Sequence, residues 1–319
     1  MGRTVKIILS VTIPLVFVGI LYYYIDFSYF AEKVKQVEGK YLVYSFAALF
    51  AAYFFRVARF MILLPSRSAG KLFGISTLHY FFNRILPARS GEATLPVLLK
   101  KYLNISYAKG ITGLLFIRVI DLYGIMLILV LATLGVSGFG FQPFLLNIIR
   151  LLAIIIILFS LLLFLFPKRT VKIISLFILW FSHVAKGKIR KKLQDYTQTL
   201  DRFINEMPQW FVPGIVIMSF GSWLLIYFYY YFIVLAFGIP YTLPEVTFAS
   251  SISNLTLILP LSAVGNLGTF EAGWTAGFAL LGMDPAEAVQ IGLFSNIYAT
   301  LITSLLAVVG WYILARKGK

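Results

Sequence analysis

The sequence contains no cysteine and only two histidines, His79 and His183. Thiolate chemistry, disulfides and zinc or iron sites built from Cys and His are thereby excluded, and neither a metal nor a cofactor is expected. Acidic residues are scarce: 12 Asp and Glu stand against 28 Lys and Arg, a net charge of +16. In a soluble chain that excess would point to nucleic acid. Here only 13% of the 319 residues are charged, whereas 60% are hydrophobic and 17% aromatic, with a mean hydropathy of +0.90. No soluble domain of that length hides so much apolar surface, so the chain reads as an all-α polytopic membrane protein. The basic excess is then an orientation signal, and nucleic acid is not an expected partner.

A soluble catalytic stretch is also missing, so any chemistry is expected to rest with the membrane part or with a partner. The segment SRSAGK, 66–71, lacks the first glycine and the spacing of a phosphate-binding loop, so no ATP site is expected. Arg3 and Lys6 precede IILSVTIPLVFVGILYYYI, which is too long for a signal peptide and has no small-residue cleavage site. It reads as a retained first span.

A membrane helix needs about 20 apolar residues. Six stretches qualify: 5–25, 41–64, 107–134, 144–166, 209–237 and 288–314. Shorter apolar stretches at 72–87, 91–103, 244–260 and 268–282 fit two broken re-entrant helical hairpins, punctuated by Pro87, Gly91 and Pro96 and by Pro244, Pro260, Gly265 and Gly268. Helix breaks at membrane depth are tolerated where the freed backbone faces protein or a wet cavity. Pro87 and Pro260 are expected to make the breaks, and Asn83 and Asn254 to hydrogen-bond the backbone they free.

Basic residues collect in alternate loops: Arg67, Lys71, Lys100, Lys101 and Lys109, nine more between Lys168 and Arg202, and Arg316, Lys317 and Lys319 at the end. The other loops, 26–40, 135–143 and 238–287, carry little net positive charge. The expectation is six spans with both termini cytoplasmic, in a cell membrane. The tyrosines of LYYYI, 21–25, and IYFYYYFIV, 226–234, read as an interfacial aromatic belt. Between the halves, 168–208 reads as an amphipathic cytoplasmic linker. Its cluster of Lys186, Lys188, Arg190, Lys191 and Lys192 either lies against anionic lipid, at about 1 kcal/mol per basic residue, or is solvated.

The two broken segments repeat one order of parts. Asn83, Leu86-Pro87 and Gly91-Glu92 are echoed by Asn254, Leu259-Pro260 and Gly265, Gly268, Glu271. Glu92 leads by 26 residues to Arg118 (118 − 92), and Glu271 by 25 to Asn296 (296 − 271). The expected plan is a single membrane domain, 1–319, made of an inverted 3+3 repeat, 1–143 and 144–319.

Six charges on or beside the first half's apolar segments form a candidate constellation. Arg118 and Asp121, three apart, share a helix face, which makes Asp121 the expected partner of Arg118. Arg56, Arg84, Arg89 and Arg118 against Glu92 and Asp121 leave +2, and a phosphate would balance it. Planar guanidinium groups donate to phosphate in parallel pairs. The four arginines are therefore candidate headgroup-binding residues, with Glu92 and Asp121 supporting them; snorkelling of Arg84 and Arg89 to the interface stays open. Glu271 is a coupling or headgroup candidate, or a hydrogen-bonded buried acid. His79 reads as a satisfied polar residue rather than a proton relay.

The Arg56-to-Arg59 pair, NRILPARSGE (83–92), RVID (118–121) and LPLSAVGNLGTFEAG (259–273) together resemble the transmembrane region of lysylphosphatidylglycerol synthases and its stand-alone flippase-like relatives. The likeness spans essentially the whole chain. It departs in the second motif, where the family more often has Pro-Gly-Gly-Leu-Gly before the Glu, and in lacking the fused aminoacyl-transferase domain. The resemblance implies translocation of a lipid between leaflets and a homodimer. The expected function is thus a lipid transporter for a phosphate-bearing headgroup (phospholipid, aminoacyl-phospholipid or polyprenyl-phosphate type), with no catalytic residue assigned. The alternatives are a membrane-embedded transferase using a lipid-linked donor, or a partner that presents lipid to a separate lipid-modifying enzyme.

Overall fold

The structure, a computed structural model, describes residues 32–64, 68–136, 211–257 and 264–316, with scattered positions between 151 and 198. The described residues form helices: α1 (Gly39–Leu63), α2 (Ala69–Ile85), α3 (Thr94–Leu103), α4 (Tyr107–Gly135), α5 (Phe211–Ala236), α6 (Leu243–Thr256), α7 (Thr269–Ala279) and α8 (Pro285–Arg316). Short 3₁₀ turns, Pro87–Ala93 and Val264–Asn266, join α2 to α3 and precede α7. Four of these helices, α1, α4, α5 and α8, are long and apolar enough to cross a membrane. The expected span 5–25, most of the expected span 144–166, Pro260 and most of the linker 168–208 lie outside the described residues.

The short helices have 17, 10, 14 and 11 residues, too few to span alone. Local chemistry sets their ends. Leu86, before Pro87, is extended at ψ 135°, as the proline ring demands, and α2 stops at Ile85. Gly91 then lets the turn fold back on α2, since a Cβ there would meet the Phe82 carbonyl oxygen at 2.2 Å. At the start of α6 the Thr242 hydroxyl accepts from the Glu245 N–H, and Glu245 Oε2 accepts from the Thr242 N–H at 2.8 Å. Helix α7 packs on α6 through Gly273 and Gly277; a Cβ at Gly277 would lie 2.2 Å from the Ala249 carbonyl oxygen.

The packing is reciprocal. Helix α1 lies along α5 in the opposite direction, with the Glu38 N–H donating to the Ala236 carbonyl at one end and Gly221 against Phe55 midway. Helix α2 packs on α8, where Gly74 meets Gly310, and α6 packs on α4. Each second short helix packs on the long helix that follows it, α3 on α4 and α7 on α8, and the two 3₁₀ turns touch. Lys33 pairs with Glu287, which brings the segment before α1 to the start of α8.

One expectation about the tyrosines is corrected. Tyr227, Tyr229 and Tyr230 are buried rather than interfacial. Their hydroxyls find partners inside the protein, at Ser251, the Ser295 carbonyl and Asn254 respectively, which removes the reason to stay near water.

Candidate functional site

Between the two broken hairpins lies a cavity of about 660 Å³. Arg56, Arg84, Arg89 and Arg118 all line it, with Asn83, Asp121 and Asn254, so residues scattered over α1, α2, the first 3₁₀ turn, α4 and α6 converge. Aromatic rings form much of the remaining wall: Tyr53, Tyr80, Trp223, Tyr229 and Tyr230. Ligand sites usually occupy a few hundred to about 1,000 Å³ and combine apolar walls with a few placed polar groups, which is the pattern here.

The ion pairs differ from the sequence expectation. Asp121 is held chiefly by Arg59, not Arg118: the two form a close buried pair, and Arg118 Nη1 stays 3.9 Å from Asp121 Oδ2. Spacing favours Arg118 because i and i+3 share a face, but α1 brings the buried Arg59 guanidinium to Asp121. Arg59 is 1% exposed and also donates to Ser219 Oγ at 2.9 Å and Tyr80 Oη at 2.7 Å, while Trp223 Nε1 donates to Asp121 Oδ1 at 3.1 Å. Arg59 was quoted in the sequence motif but given no site role. An arginine three residues after Arg56 in an apolar helix, needing a buried partner, was the signal for it.

Glu92 pairs with two arginines. Its Oε1 lies 3.1 Å from Arg118 Nε and 3.3 Å from Arg89 Nη1. Arg89 itself sits at φ 54°, a left-handed conformation that a non-glycine residue adopts at a cost. Asn266 in the second 3₁₀ turn does the same at φ 58° and also lines the cavity. Strained non-glycine backbone at two touching turns marks this point of the fold as constrained by more than local preference.

Arg56 has no carboxylate within ion-pair distance among the described residues. Its guanidinium faces the rings of Tyr80 at 4.5 Å, Tyr53 at 5.5 Å and Trp223 at 5.9 Å. Arg84 reaches across to the other half, donating to Asn296 Oδ1 at 2.6 Å. Asn296 in turn donates to Glu271 Oε1 at 2.8 Å and to the Gly265 carbonyl at 2.9 Å. Glu271 is fully buried behind the cavity wall; its other oxygen accepts the Gly268 N–H at 2.8 Å and caps α7. Glu271 is therefore a hydrogen-bonded buried acid that reaches the cavity-lining Arg84 through Asn296.

The asparagines at the breaks do not bond freed backbone. Asn254 Oδ1 accepts from Tyr230 Oη at 3.2 Å, and its Nδ2 is buried with no protein partner. Asn83 Oδ1 is likewise unpartnered. Both side chains line the cavity, so their free atoms are available to something bound in it. His79 Nδ1 lies 3.1 Å from Thr94 Oγ1, a buried polar contact joining α2 to α3.

Equivalent positions carry equivalent contacts. Asn83 and Asn254 each stand two residues before the end of their helix (85 − 83; 256 − 254), and Arg118 and Asn296 each stand eleven after the start of theirs (118 − 107; 296 − 285). Glu92 meets Arg118 as Glu271 meets Asn296. The family model described as Lysylphosphatidylglycerol synthase TM region matches residues 5–307 of the chain. No curated protein and no solved structure matches it.

Proposed function

The chain belongs to the lysylphosphatidylglycerol synthase TM region family, and from that premise we propose that it carries a phosphate-bearing lipid headgroup across the membrane through the arginine-lined cavity. The observation that bears most weight is the convergence of Arg56, Arg84, Arg89 and Arg118 on one cavity between two broken helices. An arginine inside a membrane helix costs at least about 2.5 kcal/mol to insert, so four at one place need a purpose beyond packing. Only Arg59 among the five arginines here is committed to a buried structural pair.

The transport reading draws on the fold in two ways. Helices α1 and α5 hold equivalent places and run oppositely, and the reciprocal packing of α2 on α8 and of α6 on α4 suits an inverted repeat. In that plan the broken helices open to opposite sides, and rocking one half against the other exposes a central site to each leaflet in turn. With both termini cytoplasmic, the α2–α3 break opens inward. A headgroup with a net negative charge moving outward gains about 2.3 kcal/mol per charge per 100 mV of inside-negative potential, so no nucleotide site is required.

The test is leaflet exchange of headgroup-labelled anionic lipids in vesicles holding the pure protein, comparing wild type with Arg118→Gln and Glu271→Gln. Exchange well above protein-free vesicles, lost in Arg118→Gln and reduced in Glu271→Gln, is the expected result. No exchange of any phospholipid or polyprenyl phosphate by a folded protein would overturn the transport reading.

A further inference from the structure

Charge accounting at the cavity narrows the headgroup. Arg56, Arg59, Arg84, Arg89 and Arg118 supply five positive charges, and Glu92 and Asp121 two negative ones, which leaves +3 among the described residues at the site. Counting the ionised form of Glu271, which reaches Arg84 through Asn296, leaves +2. A headgroup with one negative charge would leave at least one guanidinium uncompensated in a largely apolar surround, an expensive arrangement.

The donors are unspent as well as the charge. Among the described residues Arg56 makes no hydrogen bond to protein, only ring contacts. Arg118 lies 3.1 Å from Glu92, yet its buried Nε is without a hydrogen-bond partner. Asn254, 5% exposed, points an unpartnered amide into the same cavity. Among the described residues no carboxylate at the cavity is left free to receive a cation, and the unpartnered Asn83 Oδ1 is a neutral acceptor. Asp121 is taken by Arg59 and Trp223, Glu92 is shared by Arg89 and Arg118, and the faces of Tyr53, Tyr80 and Trp223 are turned to Arg56.

Resting on the lipid-handling reading above, we propose that the site selects a lipid phosphate carrying at least two negative charges, a phosphomonoester or diphosphate headgroup, over singly charged diesters, and rejects an aminoacylated headgroup. The three terminal oxygens that share the two charges of a monoester dianion are matched by the guanidiniums of Arg56 and Arg84, which have no ion-pair partner among the described residues, and by those of Arg89 and Arg118 from the turn and α4. At about 660 Å³ the cavity is larger than one phosphate needs, which leaves room for a sugar or for the first part of the lipid.

The test measures equilibrium binding of three lipids with identical acyl chains to the detergent-purified full chain: phosphatidic acid, phosphatidylglycerol and lysyl-phosphatidylglycerol. Glycerol 3-phosphate is the soluble control. At pH 8 phosphatidic acid is expected to bind at least tenfold more tightly than phosphatidylglycerol, with the lysyl lipid weakest. The preference should shrink as pH falls through the second phosphate ionisation near about 6, because the dianion is then lost. Arg56→Gln and Arg84→Gln, checked for unchanged unfolding temperature, should each reduce the preference severalfold. Equal binding of the mono- and diester at pH 8, or tighter binding of the lysyl lipid, would overturn the inference. So would glycerol 3-phosphate matching phosphatidic acid, which would make this a site for a soluble phosphate. The binding order is read without transport. The expected order with no leaflet exchange keeps this inference and sinks the transport proposal, and exchange without headgroup preference does the reverse.

Discussion

Replacing Asp121 by Asn separates the groups that hold the bundle together from those that face the cavity. The substitution keeps side-chain volume but removes the charge opposite Arg59, whose guanidinium is 1% exposed and whose Nε already lacks a partner. Ser219 and Tyr80 remain as neutral acceptors, at 2.9 and 2.7 Å, and soften the loss without cancelling the charge. Breaking a buried pair from one side costs about 3–5 kcal/mol, because the surviving ion stays desolvated. Arg118 loses little, being 3.9 Å away and primarily held by Glu92. Arg118→Gln is therefore expected to cost under about 1 kcal/mol, since its side chain is 26% exposed to the cavity and its ion pair is correspondingly screened. Equilibrium unfolding in a defined detergent, by steric trapping or a denaturant series, reads both. A double variant, Asp121→Asn with Arg59→Met, should be more stable than Asp121→Asn alone, because it removes the stranded charge. Should Arg118→Gln destabilise as much as Asp121→Asn, or should the double variant show no recovery, the assignment of Arg59 as the structural partner is wrong.

Other substitutions probe the frame. Gly277→Leu should lower the unfolding temperature strongly, since even a Cβ would sit 2.2 Å from the Ala249 carbonyl oxygen, whereas Gly39→Ala, with nothing within 4 Å of its Cβ, should be neutral or stabilise by up to about 1 kcal/mol. Asn296→Ala removes a donor from buried Glu271 and an acceptor from Arg84, and is expected to cost about 1–3 kcal/mol in the same unfolding assay. Lys33→Ala should cost no more than about 1 kcal/mol and its effect should fade in high salt, because the Lys33–Glu287 pair is only part-buried; a larger, salt-independent loss would mean that this contact anchors the loops.

Much of this arrangement was legible before any coordinates. The broken segments announced themselves by length, by Pro87, and by glycines at the turns, because few ways exist to stop a helix at membrane depth. The matching spacings from Glu92 to Arg118 and from Glu271 to Asn296, read in the sequence as an echo between the halves, each end in a contact in the structure. What sequence could not supply was partners between distant segments. Arg59 and Asp121 lie 62 residues apart, Arg84 and Asn296 212, and nothing local distinguishes those pairings from the nearer Arg118–Asp121 alternative. The buried tyrosines of α5 failed for a related reason. A Tyr in an apolar run looks interfacial until a hydroxyl partner such as Ser251 or Asn254 arrives from another helix.

On the inverted-repeat proposal the two halves would share a frame but not a chemistry, and the difference bears on how a bound anion would be released. At the place where α4 carries Arg118, α8 carries Asn296; where α2 follows Asn83 with Arg84, α6 follows Asn254 with Leu255. The four cavity-lining arginines therefore all belong to the first half, and the second half contributes neutral amides. A site with guanidiniums on both faces would hold a phosphate from either side and resist separation, whereas transport needs binding weak enough to leave. With charge on one face only, opening the cavity between the halves keeps the anion on the arginine side while the amides withdraw. Among the four cavity-lining arginines Arg84 is the one that hydrogen-bonds to the second half in the described residues, through Asn296, so an anion that draws Arg84 inward would weaken that bridge and favour separation of the halves. On this account Asn296→Ala, which removes the bridge at the stability cost given above, should speed leaflet exchange without weakening detergent-phase binding by more than a few fold. A variant that exchanges lipid at the wild-type rate would show that the Arg84 bridge does not restrain separation of the halves.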